Sequence, residues 1–201
     1  MTLPGILALE GVELDYRIED HLIPVLRGVD LVLDEGEFLL VQGALGAGKS
    51  ALMNVLAGLE APSRGRILLG GIAVSGFESG AARRIFESFV GFFAPWFRLD
   101  ARGRLTDLIR DLPHAPRLDP ERVFGLLGLD PGDDRPFGSL DARGRRRVDC
   151  ARVLLRGPRL LIADLAAPPW GSAPELEVLG RIHDELGISV IATAEGDCSL
   201  E

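Results

Sequence analysis

At 201 residues and 47% hydrophobic content the chain is long enough to bury a proper core in one domain, yet no stretch approaches the roughly 20 uninterrupted apolar residues of a membrane span. A formal net charge of −8 argues against wholesale nucleic-acid binding, and the arginine cluster at Arg143, Arg145, Arg146 and Arg147 reads as a solvated helix start. The first residues lack the basic-then-apolar pattern of a signal peptide, and Cys150 and Cys198 carry no metal or redox spacing, so a cytoplasmic protein without a disulfide framework is expected.

Residues 6–16 alternate loosely as a strand, and 29–33 and 37–41 read as two more, split by the turn Asp34-Glu35-Gly36-Glu37. This predicts an antiparallel β layer ahead of Gly43-Ala44-Leu45-Gly46-Ala47-Gly48-Lys49-Ser50. That stretch follows the apolar run Phe38-Leu39-Leu40-Val41 and opens a helix-favouring segment from Ala51 to Ala57. It matches the G-x-x-x-x-G-K-[ST] phosphate-binding loop in pattern and in context. Glycines let the backbone wrap a polyphosphate, so that main-chain N–H groups and the positive end of the helix face its oxygens. Gly43, Gly46, Gly48 and Lys49, with Ala51 in the first turn of the helix, are the expected nucleotide-binding residues, and Ser50 the expected magnesium ligand. Lys49 is the only lysine in the chain, at a place where a compact ammonium suits phosphates better than a planar guanidinium.

Beyond the helix, Gly58 and then Pro62-Ser63-Arg64-Gly65 stop it, and 66–69 with 72–74 read as a hairpin across Gly70-Gly71. A short helix over 81–86 and a strand over 88–93 follow. Prolines at 95, 113, 116, 120, 131 and 136 then divide short helices near 104–111 and 120–127, the mark of an inserted helical subdomain over about 95–155. A helix over 142–155, a buried strand over 159–163 ending in Asp164, a helix over 173–186 and a strand over 188–193 complete an α/β core with parallel strands. One domain over 1–201 is expected.

The order of these pieces resembles the nucleotide-binding domain of ABC transporters, and among them the small ATPases of lipoprotein-export and macrolide-efflux systems. The likeness runs from about Leu7 to Glu195. Leu9-Glu10-Gly11-Val12 with Tyr16 is similar to the family's opening strand and its adenine-stacking aromatic; an isolated tyrosine at a strand end equally fits half-buried packing. Residues 54–65 read like the family's helix and turn, and Leu160-Leu161-Ile162-Ala163-Asp164 like its second nucleotide motif, whose carboxylate holds magnesium through water. The resemblance implies a P-loop NTPase of RecA-like core, with ATP and Mg2+ as ligands and Ser50 and Asp164 at the metal. It also implies pairing with a second such domain, as a homo- or heterodimer, and docking on an integral membrane subunit at the inner face of the cell membrane.

The departures fall on the residues that carry hydrolysis. Where the family has a glutamate after the aspartate, this chain has Leu165, which can neither accept a proton nor orient water. The family's histidine near the last strand is Ala194, and its glutamine after the strand ending in Phe93 corresponds to Pro95 or its neighbour. The L-S-G-G-Q signature is Leu140-Asp141-Ala142-Arg143-Gly144, and Asp141 would set a carboxylate against phosphate. The turn after Leu165 is rebuilt around Pro168-Pro169-Trp170-Gly171. A nucleotide-binding subunit with impaired hydrolysis is therefore expected. The alternatives are a working ATPase with non-standard residues, Glu195 being the first substitute base, and a non-catalytic regulatory module. A second expectation concerns Phe86, Phe89, Phe92, Phe93, Trp96 and Phe97. They fill the core, or, at Trp96 and Phe97, form an apolar patch that docks on the membrane partner.

Overall fold

The structure is a computed structural model that describes residues 5–74, 86, 88–93, 100–110, 117–165 and 173–195. In β1 (Leu7–Ile18) the side chains of Leu7, Leu9, Val12 and Leu14 are buried, and the period-two pattern breaks between Leu9 and Val12, where the register with its neighbours shifts. Gly11 lies at that bulge and donates its N–H to Asp30 Oδ1 at 2.7 Å. The neighbouring strand presses close there. A Cβ on Gly65 would stand 2.4 Å from the Gly11 carbonyl oxygen, and Gly65 also has φ of +87°, so no other residue fits.

β1 turns through Glu19 and Asp20 into β2 (His21–Leu33), which pairs with it along its length; β4 (Arg64–Leu69) takes the other edge of β1, and β5 (Ile72–Ala73) closes the hairpin. The antiparallel sheet has the order β2-β1-β4-β5. β2 begins eight residues before the strand expected at 29–33. Its first residues, His21, Leu22, Ile23 and Pro24, are all exposed, so they carry no burial signature, and only pairing with β1 makes them a strand.

β3 (Phe38–Gly43) leaves that layer and joins a wholly parallel sheet of order β3-β8-β7-β6, with β6 Val90–Phe93, β7 Leu160–Ala163 and β8 Ser189–Glu195. All four β7 residues are buried, as a strand covered on both faces requires. Leu160, Ile162 and Ile191 pack into a core with α1 (Lys49–Leu56) and the antiparallel sheet. Leu161, Ala163, Val190 and Ala192 pack into a second core on the opposite face.

That second core is roofed by the helices that lie between β6 and β7 in the chain, α2 (Leu105–Arg110), α3 (Pro120–Leu127), a 3-10 turn at Phe137–Ser139 and α4 (Ala142–Leu154), together with α5 (Ala173–Leu186). Asp119 caps α3 by accepting the Glu121 N–H at 3.1 Å, with Pro120 at the first helical position. One expectation is corrected in α4. Arg146 is not part of a solvated helix start but is buried, with its guanidinium 4.8 Å from the centre of the Phe93 ring. Phe93 is core, and Phe86, Phe89 and Phe92 are half-buried against the first core. Trp96, Phe97, Pro95 and the turn at 168–171 lie outside the described residues.

Candidate nucleotide-binding site

Parallel strands present all their carboxyl ends at one edge of the sheet, where ligands of open α/β folds bind. The register shows what gathers there. Gly43 lies opposite Glu195, Gln42 opposite Ala194, Val41 opposite Thr193, and Ala163 opposite both Ala192 and Phe93. The loop strand β3 and the Asp164 strand β7 thus flank β8, and the phosphate loop and the acidic residue emerge at the same edge.

The loop needs its glycines at the turn into α1. Gly46 and Gly48 have φ of +80° and +86°, and a Cβ on Gly48 would meet the Val25 carbonyl oxygen at 3.1 Å. α1 starts directly after, with Gly48 as its N-cap and no side-chain cap on its first N–H groups, which is the arrangement that suits an anion. Lys49 is buried, 6% exposed, and its Nζ donates to the carbonyl oxygens of Gly43 at 2.5 Å and Ala44 at 2.9 Å. The ammonium is held in the mouth of its own loop. Ser50 is exposed and Ala51 buried in the first turn of the helix.

Asp164 follows β7 and is buried, with its N–H on the Phe93 carbonyl at 2.9 Å. Its Oδ1 accepts a hydrogen bond from Thr193 Oγ1 at 2.7 Å, and Thr193 Oγ1 in turn accepts the Leu165 N–H at 2.9 Å. A serine hydroxyl at the head of α1 and a carboxylate at the end of β7 are hard oxygen donors, the kind magnesium takes. Leu165 and Ala194, expected from the resemblance to stand where the family has its glutamate and histidine, are both fully buried and apolar.

Tyr16 belongs to the other sheet. It is 38% exposed, and its phenol donates to Glu60 Oε2 at 2.8 Å, while Asn54 Nδ2 of α1 donates to Glu60 Oε1 at 2.8 Å. Partial burial, then the hydrogen bond and charge of Glu60, raise the Tyr16 pKa above its ordinary value. Sequence reasoning missed Glu60 and Thr193. The signal available for Thr193 is a hydroxyl set among the apolar residues of β8, four positions after Ser189 at the start of the strand.

Against known proteins, the ABC transporter family model matches residues 26–167. The macrolide export ATP-binding/permease protein MacB of Rhodopirellula baltica is 30% identical over 96% of this chain, which spans 30% of that relative's length. The lipoprotein-releasing system ATP-binding protein LolD of Alcanivorax borkumensis is 31% identical over 80% of this chain and 72% of its own. Among solved structures, the dimeric cassette MJ0796 superposes with a TM-score of 0.77 at 21% identity, covering 94% of this chain and 87% of that one. The same cassette bound to ADP and Pi gives 0.75. With a phosphate loop, a buried second-motif aspartate and the sheet order between them in place, the chain belongs to the ABC transporter family, as one of its ATP-binding cassettes.

Proposed function

We propose that this cassette binds Mg-ATP and hydrolyses it slowly or not at all, as the nucleotide-binding part of an ABC transporter. The β and γ phosphates sit over the N–H groups of the loop and α1, with Lys49 turning from the Gly43 and Ala44 carbonyls to phosphate oxygens. Ser50 and Asp164 would hold the magnesium, which when bound supplies positive charge against the phosphates, and Tyr16 would stack on adenine. The observation that carries the reading is the pairing of an assembled loop with a fully buried Leu165 beside Asp164. A leucine there removes the proton acceptor, a group commonly worth about a hundred- to ten-thousand-fold in rate.

The membrane partner is a permease segment, on a separate chain or on the same one, as the ATP-binding/permease protein MacB couples the two in its name. The cassette pairs with a second cassette, as MJ0796 does in its dimeric structure. It works on the inner face of the cell membrane, and no described helix is long and apolar enough to cross a bilayer. Calorimetry of Mg-ATP binding beside a steady-state phosphate-release assay tests this directly. Binding with background turnover is expected; turnover of about one per second or faster would make the chain a motor with another base.

A further inference from the structure

We infer that Thr193 is a positioning residue for the metal: its hydroxyl fixes the Asp164 carboxylate for magnesium. The inference rests on the Mg-ATP reading above and extends it to a residue that no motif marks. Thr193 is fully buried in β8, one strand over from Asp164. Its hydroxyl has a forced polarity. The Leu165 N–H can only donate, so at 2.9 Å it occupies an Oγ1 lone pair, and the hydroxyl proton is left to go to Asp164 Oδ1 at 2.7 Å.

One oxygen thereby holds two things at once: the backbone just past the end of β7 and the plane of the carboxylate that precedes it. The β-branched side chain adds stiffness, since its rotamer is restricted about χ1. The backbone of Thr193 is itself fixed, because β8 pairs with β3 on one side and β7 on the other. A carboxylate held from behind in this way keeps its orientation toward a ligand, which is what outer partners of metal ligands contribute. With Leu165 and Ala194, the residues that follow Asp164 and Thr193 in the chain, both apolar, Thr193 supplies polar support to Asp164 without supplying a base. Magnesium affinity is thereby retained where hydrolytic groups are missing.

The test is calorimetric ATP affinity measured with excess Mg2+ and again with EDTA, on wild type, Thr193→Val and Thr193→Ser, with far-UV circular dichroism as the folding control. Valine keeps the shape and removes the hydroxyl. The expected result is a loss of about ten- to a hundred-fold in affinity with Mg2+ for Thr193→Val, little change in EDTA, and near-wild-type values for Thr193→Ser. If Thr193→Val does not fold, Thr193→Ala takes its place in the same comparison. Equal magnesium dependence in wild type and the hydroxyl-free variant overturns the inference alone, as does an equal loss with and without Mg2+, which marks a packing role. A wild type whose affinity ignores Mg2+ overturns the Mg-ATP reading and this inference with it.

Discussion

Lys49 shows what the loop demands of a single side chain. It is the one lysine among 22 lysines and arginines, and its Nζ reaches two carbonyl oxygens of its own loop from a nearly closed site. A point charge with three donors can leave those carbonyls for phosphate oxygens by rotating its stem; a planar fork at the same place cannot satisfy both sets. Lys49→Ala removes the counter-charge to the phosphates and is expected to weaken ATP binding at least tenfold, about 1.4 kcal/mol. Calorimetry checks it, and equal affinity in the variant would refute the assigned role. The loop is legible from sequence because each residue type in it answers to one physical need. Glu60 is not, because its bond to Tyr16 joins residues 44 positions apart, one in β1 and the other in the turn after α1.

At the scale of elements α4 carries the most information. Asp141 is its N-cap, extended at φ −67° and ψ 172°, and its carboxylate accepts the Gly144 N–H at 2.6 Å. The residue that the sequence sets against a phosphate is thus engaged with the start of its own helix, and Asp141→Ala should cost about 1 kcal/mol in urea unfolding. Deeper in α4, Asp149 is 3% exposed; Oδ1 accepts from Arg152 at 3.0 and 3.2 Å, and Oδ2 has no hydrogen-bond partner among the described residues. Burial raises its pKa above the ordinary 3.8, against the opposing pull of Arg152 and Arg146. The native state therefore keeps a proton that the unfolded chain has released, and stability falls as pH rises from the ordinary value through the elevated one. Asp149→Asn cannot titrate. Its stability relative to wild type should grow across that window when urea midpoints are compared at successive pH values, and a constant difference would show that burial does not govern this carboxyl. The helix itself follows from its pattern, but the burial of Arg146 and Asp149 does not. A charged residue reads as solvated until Phe93 and the roof of helices are seen to cover it.

Across the whole molecule, the alternation of strands and helices after the loop suffices to foresee a parallel core, and the position of Asp164 at the end of a buried strand follows from the same reading. The placement of β8 between β3 and β7 does not, since strand order is set by long-range pairing, and with it went the hydroxyl of Thr193 beside Asp164. On the proposed reading of slow hydrolysis, the surroundings of Leu165 decide what a gain of catalysis would take. Leu165 is fully buried and shares an apolar cluster with Phe93, Leu176 and Leu179, so Leu165→Glu sets a carboxylate into packed hydrocarbon rather than beside a water. The substitution should lower stability by about 3 kcal/mol and leave phosphate release at background, because Ala194 still offers no polar side chain and groups that act as a unit do not restore activity singly. Thermal unfolding and a phosphate-release assay on the same preparation separate the two effects. A folded Leu165→Glu variant with turnover a hundred-fold above wild type would mean that the remaining site is complete and that only the base is missing.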